Sequence, residues 1–140
     1  MAPITTEQNI HNRWCTNEKT AMEAALGMSF VGKRALVCMK HVGMNVAADC
    51  FVNSAITGVK GGLIVIAARR PQYALFAERT RQPFLRRFLT DSHVRTSNQQ
   101  EAYDMVYSGF EFSEKLGEPI LMRMVTRLAH SRSGVERKEQ

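Results

Sequence analysis

The amino-acid sequence predicts an α/β fold with three layers, in which helices cover both faces of a mostly parallel sheet. Two observations support this prediction. Short apolar runs typical of buried strands alternate with helical patterns, and 140 residues suffice for one ordinary domain with a real core. Helix, strand, helix, strand, a gap, helix and strand is the order that right-handed crossovers produce. Because the pattern opens on a helix, we expect the sheet to be incomplete at its N-terminal side.

The first half of the chain carries two predicted helices and two predicted strands. The first helix covers residues 16–32, with Thr16 as its N-cap and Gly32 at its end. The runs RALVCM and GGLIVIAA are typical of buried strands, and GMNVAADCFVNSAIT between them is predicted to be a second helix. The inward stripe of the first helix is predicted to hold Ala21, Ala24, Ala25 and Met28.

The second half carries one predicted helix and one predicted strand. The segment NQQEAYDMVYSGFEFSEKLG is amphipathic, and its Gly117 lies just beyond the last turn. EPILMRMVT follows as a final strand. We assign residues 14–133 to the domain, residues 1–13 to a loose polar segment and residues 134–140 to a polar tail.

The composition is that of a globular protein, with 44% hydrophobic and 23% charged residues. No apolar run has the roughly 18 residues that a membrane helix needs, and the first residues lack the apolar core of a secretory signal. The three cysteines form no C-x-x-C pair. We therefore expect buried or half-buried thiols in a reducing cytoplasm, and we assign no metal ligand.

The net charge of +6 is concentrated in one segment. Residues 69–96 contain seven arginines and two acidic residues, interleaved with Tyr73, Phe76, Phe84 and Phe88. Such a segment is typical of binding to nucleic acid, through phosphate contacts and base stacking. No nucleic-acid-binding motif accompanies it. A basic nucleic-acid-binding module that uses residues 69–95, or a remnant without catalytic function, is therefore the alternative to an enzyme.

Two places along the chain are candidates for chemistry, although no phosphate-binding loop, zinc motif or nucleophile elbow is present. Glu18 lies at the start of the first helix, where a carboxylate also complements the helix dipole. Lys40, His41 and Asn45 lie in MKHVGMN, on a strand-to-helix loop where α/β domains place ligand groups. A solvated lysine and a loop histidine are the structural alternative there.

Most of the chain resembles a known family. The stretch TNEKTAMEAALGMSFVGKRALVCMKHVGMNVAADCFVNSAITGVKGGLIVIAA, together with QQEAYDMV and FEFSEKLGEPILMRMVTRLAHSRSG, is similar to the thiamine-pyrimidine-binding domain of the alpha subunit of indolepyruvate:ferredoxin oxidoreductases. The resemblance implies the thiamine diphosphate-binding fold. It also implies oxidative decarboxylation of indolepyruvate or other aryl pyruvates to acyl-CoA, with coenzyme A as co-substrate and ferredoxin as electron acceptor.

The resemblance also implies roles for individual residues. The glutamate of the family's NEK motif falls on Glu18, which would be catalytic and bind the aminopyrimidine ring nitrogen of thiamine diphosphate. Asn17 would be a second cofactor contact. Lys40, His41 and Asn45 match the loop near the reacting end of the cofactor and would contact substrate or an intermediate. The chain would hold only the pyrimidine end, since magnesium and the 4Fe-4S clusters are held elsewhere in the family.

The chain departs from the family in three places. We expect it to be truncated at both ends, without the diphosphate-binding domain, the cluster-bearing region and the beta subunit, and we expect the 140-residue chain by itself to lack oxidoreductase activity. Residues 69–96 replace an acidic, serine-rich loop at constant length. One base inserted before codons for that loop reproduces residues 69–79, and a base lost near Thr96 would restore the frame. We therefore interpret residues 69–96 as a compensated double frameshift, which is either a sequencing error or a real change in the gene. We expect the run RRPQYALFAERTRQPFLRRFL, residues 69–89, to pack poorly against the sheet.

Overall fold

The computed structural model describes residues 10–69, 93–95 and 97–138. Its sheet contains four strands, all parallel, in the spatial order β1-β2-β4-β3. The strands are β1 (Ala35–Lys40), β2 (Leu63–Arg69), β3 (His93–Arg95) and β4 (Ile120–Val125). The parallel sheet predicted from the apolar runs is confirmed, and β3 is a strand that the sequence pattern did not predict.

Five helices surround the sheet within the described residues. They are α1 (Glu18–Phe30), α2 (Gly43–Val46), α3 (Ala48–Thr57), α4 (Gln99–Leu116) and α5 (Thr126–His130). The first three pack on one face of the sheet and α4 covers the opposite face. The predicted α/β architecture with helices on both faces is therefore confirmed.

The two faces of the sheet hold separate hydrophobic cores. Alternate residues of β2 point to opposite sides, as the two-residue period of a strand requires. The core under α1, α2 and α3 contains Met22, Ala25, Val37, Met39, Met44, Ala47, Cys50, Phe51, Leu63, Val65, Ala67 and Leu121. Among the described residues, the core under α4 has fewer buried members, which are Ile64, Ile120 and Met122, with Met105, Val106 and Phe110 of α4 packed against them.

The start of α1 and its buried stripe differ from the prediction. Asn17, and not Thr16, is the N-cap, because its side-chain Oδ1 accepts a hydrogen bond from the Thr20 amide at 2.9 Å. Gly32 ends the helix as predicted, with a φ of 78° that favours glycine. The buried residues of α1 are Met22, Ala25 and Ser29, whereas the predicted Ala24 and Met28 are exposed.

The segment predicted as one second helix is two helices. The Ala47 amide donates to the Gly43 carbonyl and closes α2, and the Phe51 amide donates to the Ala47 carbonyl in α3. No glycine or proline marks this break in the sequence. At the other end of the chain, β4 stops at Val125, one residue before the end of the predicted strand, and α5 follows directly.

Parts of several predictions fall outside the described residues. Within the segment interpreted as frameshifted, residues 70–92 and 96 are not described, whereas His93–Arg95 pairs with β4. The expectation of poor packing concerns residues 69–89, of which all but Arg69 lie outside the described residues. The polar tail is held against α4, since the Glu136 amide donates to Gln100 Oε1 at 2.8 Å. Among the described helices, none has both the length and the apolar character needed to cross a membrane.

Candidate functional site

The candidate site lies at the carboxyl end of the sheet, where α1 begins and β1 ends. The last turn of α1 is tied to the opposite end, since the Ser29 hydroxyl donates to the Gly61 carbonyl at 2.5 Å, just before β2. The first turn of α1 therefore lies beside the loop that follows β1. This is the end of a parallel sheet where α/β folds place ligand groups.

Glu18 is the first helical residue of α1 and is half-buried. The Asn17 cap sets the position of this residue, because Asn17 Oδ1 accepts from both the Thr20 amide at 2.9 Å and the Thr20 hydroxyl at 3.1 Å. Glu18 precedes Met22 by one helical turn and so lies above the buried stripe of α1. The side chain therefore starts on the side of α1 that faces the core, and part of it stays exposed.

The side chain of Glu18 lies against Gly43, the first residue of α2. A Cβ atom at position 43 would be 2.5 Å from Glu18 Cγ, 2.8 Å from Oε1 and 2.9 Å from Cδ. The bare Cα of Gly43 therefore leaves the space that Glu18 fills. Within the described part of the chain, no group donates a hydrogen bond to the Glu18 carboxylate.

The three predicted loop residues lie on the segment that contains Gly43. The His41 amide donates to the Ala68 carbonyl at 2.9 Å, so the β1–β2 pairing extends one residue past β1. The His41 side chain is half-buried, and those of Lys40 and Asn45 are exposed. Among the described residues, none of the three forms a hydrogen bond or ion pair with Glu18.

Exposed apolar side chains flank this segment in the sequence. Val42 and Val46, on either side of Gly43, are 50% and 51% exposed, and Trp14, four residues before Glu18, is 86% exposed. Exposed apolar residues therefore adjoin Gly43 in the sequence, and apolar surface of this kind is common in ligand-binding sites. A half-buried carboxylate can accept a hydrogen bond from an N–H donor of a heteroaromatic ring.

Sequence reasoning selected Glu18 and the loop residues but missed Gly43. Gly43 lies inside the predicted MKHVGMN motif, yet nothing in the sequence indicates that Glu18, from a different element, rests on it.

The cysteines differ in part from their prediction. All three are free; Cys50 is buried and Cys15 half-buried, as predicted, but Cys38 is exposed. The prediction is wrong for Cys38 because β1 points it to the face that lacks α1 and α3. No group of three or more potential metal ligands occurs among the described residues.

The basic segment contributes no described surface. Arg69 ends β2 and Arg95 ends β3, but the remaining five arginines of the segment lie outside the described residues. The nucleic-acid-binding alternative therefore stays a prediction from sequence.

Comparison with known proteins gives a consistent set of relatives. The chain is 38% identical over 135 residues, 96% of its length, to "Indolepyruvate oxidoreductase subunit IorA" of Pyrococcus abyssi. It is 35% identical over 135 residues to the protein of that name from Thermococcus kodakarensis, and 34% identical over 142 residues to that of Methanothermobacter marburgensis. The chain spans 21% of the length of the first two relatives and 23% of the third. No protein-family model matches it.

Proposed function

We propose, since this chain is a homologue of the IorA subunits of indolepyruvate oxidoreductases, that it provides the thiamine-pyrimidine-binding part of a 2-oxoacid:ferredoxin oxidoreductase. The enzyme would convert indolepyruvate or other aryl pyruvates to acyl-CoA and carbon dioxide and pass two electrons to ferredoxin. Bound thiamine diphosphate supplies the electron sink that decarboxylation of a 2-oxoacid requires. Magnesium, the 4Fe-4S clusters and the beta subunit would be contributed by other parts of that assembly.

The contact of Glu18 with Gly43 is the observation that supports this proposal most directly. It leaves a half-buried carboxylate, with no donor among the described residues, at the ligand-binding end of the sheet. The ring nitrogen of an aminopyrimidine, when protonated, is a donor suited to this acceptor. A hydrogen bond to a charged group contributes about 1.5–3 kcal/mol, and partial burial strengthens it. The residues present therefore fit the pyrimidine end of the cofactor.

The proposed roles of the other residues follow from their positions. Asn17 commits its Oδ1 to the helix cap, so its contribution is to fix Glu18, and its side-chain amide N–H groups donate to no group among the described residues. Lys40 is an exposed cation at the end of β1, where it would attract the carboxylate of a 2-oxoacid. His41 and Asn45 would supply hydrogen bonds to the substrate or to an intermediate.

The proposal can be tested with the 140-residue chain and thiamine, whose pyrimidine end is the relevant part. In an NMR titration, we expect the amide signals of Glu18 and Gly43 to shift on addition of thiamine. Glu18→Gln keeps the size of the side chain but removes its charge, and we expect about tenfold weaker binding, the difference between a charged and a neutral hydrogen bond.

The matched control is Glu23→Gln on the same helix. Glu23 is exposed and pairs only loosely with Lys19, at 3.8 Å. We expect this change to leave thiamine affinity unaltered. Shifts confined to residues away from Glu18 and Gly43, or equal affinity of the wild-type and Glu18→Gln chains, would contradict the proposed function.

A further inference from the structure

We propose that Gly43 is a positioning residue. Because it has no side chain, Glu18 can lie against it and keep its carboxylate in the orientation that faces the ligand. The identity of the ligand rests on the proposed function, but the positioning rests on the contact alone. Glu18 and Gly43 belong to different helices, α1 and α2, and meet only because the chain folds.

The first argument concerns why position 43 holds glycine. The glycines with a positive φ angle among the described residues are Gly32, Gly58 and Gly117, so the backbone of Gly43 is open to any residue. Alanine also has a higher intrinsic helix preference than glycine. Backbone conformation and helix preference thus do not require glycine here. The space occupied by Glu18 does, because a methyl group would lie 2.5 Å from its Cγ atom.

The second argument concerns which partner would move if a methyl group were added. Gly43 is buried, its carbonyl accepts from the Ala47 amide at 3.0 Å, and the neighbouring Met44 is 3% exposed in the core beside Met22. The Gly43 backbone is therefore fixed. Glu18 is only half-buried and has a flexible stem, so its side chain would rotate away. Displacement of a positioned group by about 1 Å is enough to weaken its interaction strongly.

A double-mutant cycle without ligand tests the contact itself. The urea midpoints of the wild-type, Gly43→Ala, Glu18→Ala and double-variant chains are compared. Glu18→Ala removes all three atoms that a Cβ at position 43 would meet. We expect Gly43→Ala to be more destabilising, with a lower urea midpoint relative to its parent, when position 18 is glutamate than when it is alanine. Gly27→Ala in α1, where nothing lies within 4 Å, is the control and should show no such coupling.

A comparison of two ligands tests the positioning. Thiamine is compared with its N1′-deaza analogue, in which CH replaces the ring nitrogen that the Glu18 carboxylate would bind. We expect Gly43→Ala to weaken thiamine binding about tenfold and to leave binding of the analogue unchanged. A purely structural defect at position 43 would lower the affinity for both ligands equally.

Each outcome decides one of the two ideas. An absence of coupling between positions 18 and 43, or an equal loss of affinity for both ligands, would overturn the positioning role of Gly43. If the wild-type chain binds neither ligand, the proposed function fails, and the positioning of Glu18 is then decided by the cycle alone. Coupling together with a loss specific to thiamine supports both.

Discussion

Ser113 joins two elements through one buried hydroxyl group. It lies on the sheet-facing side of α4, accepts a hydrogen bond from the Leu63 amide at 3.0 Å and donates one to the Glu118 carbonyl at 2.6 Å. The residue is fully buried, so water cannot replace either bond. One hydroxyl group thus provides hydrogen-bond partners both for the amide at the start of β2 and for the carbonyl in the turn after α4.

We expect Ser113→Ala to lower the free energy of unfolding by about 1–3 kcal/mol, because the buried Leu63 amide loses its partner. Urea denaturation measures the change. Ser108→Ala is the control on the same helix; Ser108 is exposed, and its hydroxyl bonds only to the Asp104 carbonyl of that helix. A change of less than about 0.5 kcal/mol is expected there. Equal effects of the two substitutions would contradict the role of Ser113.

Helix α4 is fixed at both ends, and its bounds were predicted correctly for that reason. Asn98 Oδ1 accepts from the Glu101 amide at 2.8 Å and caps the helix, and the Glu101 carboxylate accepts from the amide of Ser97, the residue before the cap, at 2.6 Å. Gly117 ends the helix with a φ of 69°. These end signals are local and visible in the sequence. The break between α2 and α3 at Ala47 depends on tertiary packing, and the three-residue β3 depends on its pairing with β4. Neither can be predicted from a local sequence pattern.

The C-terminal end of α4 is linked to the start of the sheet by an ion pair. Arg34, just before β1, donates to Glu114 Oε1 at 2.8 Å and to Oε2 at 2.9 Å, and the Gly62 amide donates to Oε1 at 3.1 Å. The hydrogen bonds from Arg34, and then that from Gly62, lower the pKa of Glu114 from 4.5 to about 2. The charged carboxylate is therefore the form that stabilises the fold.

The pH dependence of stability follows from the direction of this shift. Because the pKa of Glu114 is lower in the folded chain, its contribution is complete above pH 4.5 and is lost as the pH falls towards about 2. We expect Glu114→Gln to lower the urea midpoint at pH 7 and to flatten the dependence of stability on pH between 4.5 and 2. The effect is modest, since the side chain is 34% exposed. A slope equal to that of the wild-type chain would contradict this. Glu23→Gln, at an exposed carboxylate of α1, is the control.

At the scale of the whole molecule, β2 couples the two cores. Leu63, Val65 and Ala67 enter the core under α1 and α3, whereas Ile64 belongs to the core under α4. Because one strand supplies both cores, neither face can lose its packing without disturbing the other. The described elements are therefore expected to unfold as one cooperative unit.

We expect Ile64→Ala to lower the stability of both faces by about 2–5 kcal/mol, the usual range for a buried residue of this size. Hydrogen exchange of slowly exchanging amides in α1 and in α4 measures the two faces separately. Equal losses of protection indicate a single unit. A loss confined to α4, with α1 unaffected, would show that the two faces unfold independently.

The candidate site could be predicted only in part. Residue types and their places at element ends indicated Glu18, Lys40, His41 and Asn45, because helix starts and strand-to-helix loops are visible in the sequence. The pairing of Glu18 with Gly43 could not be predicted, since it depends on how α1 lies beside the β1–α2 loop. A contact between residues of two different elements leaves no local pattern in the sequence.

The register of the sheet bears on the order in which the structure forms. Ala35 pairs with Leu63 in β1–β2, whereas Ile64 pairs with Ile120 in β2–β4, about twice as far along the chain. Closing a longer loop costs more chain entropy, so the unit from α1 to β2 is expected to condense first. Glu18 and Gly43 both belong to that unit. The contact between Glu18 and Gly43 would then form early, before β4 pairs with β2.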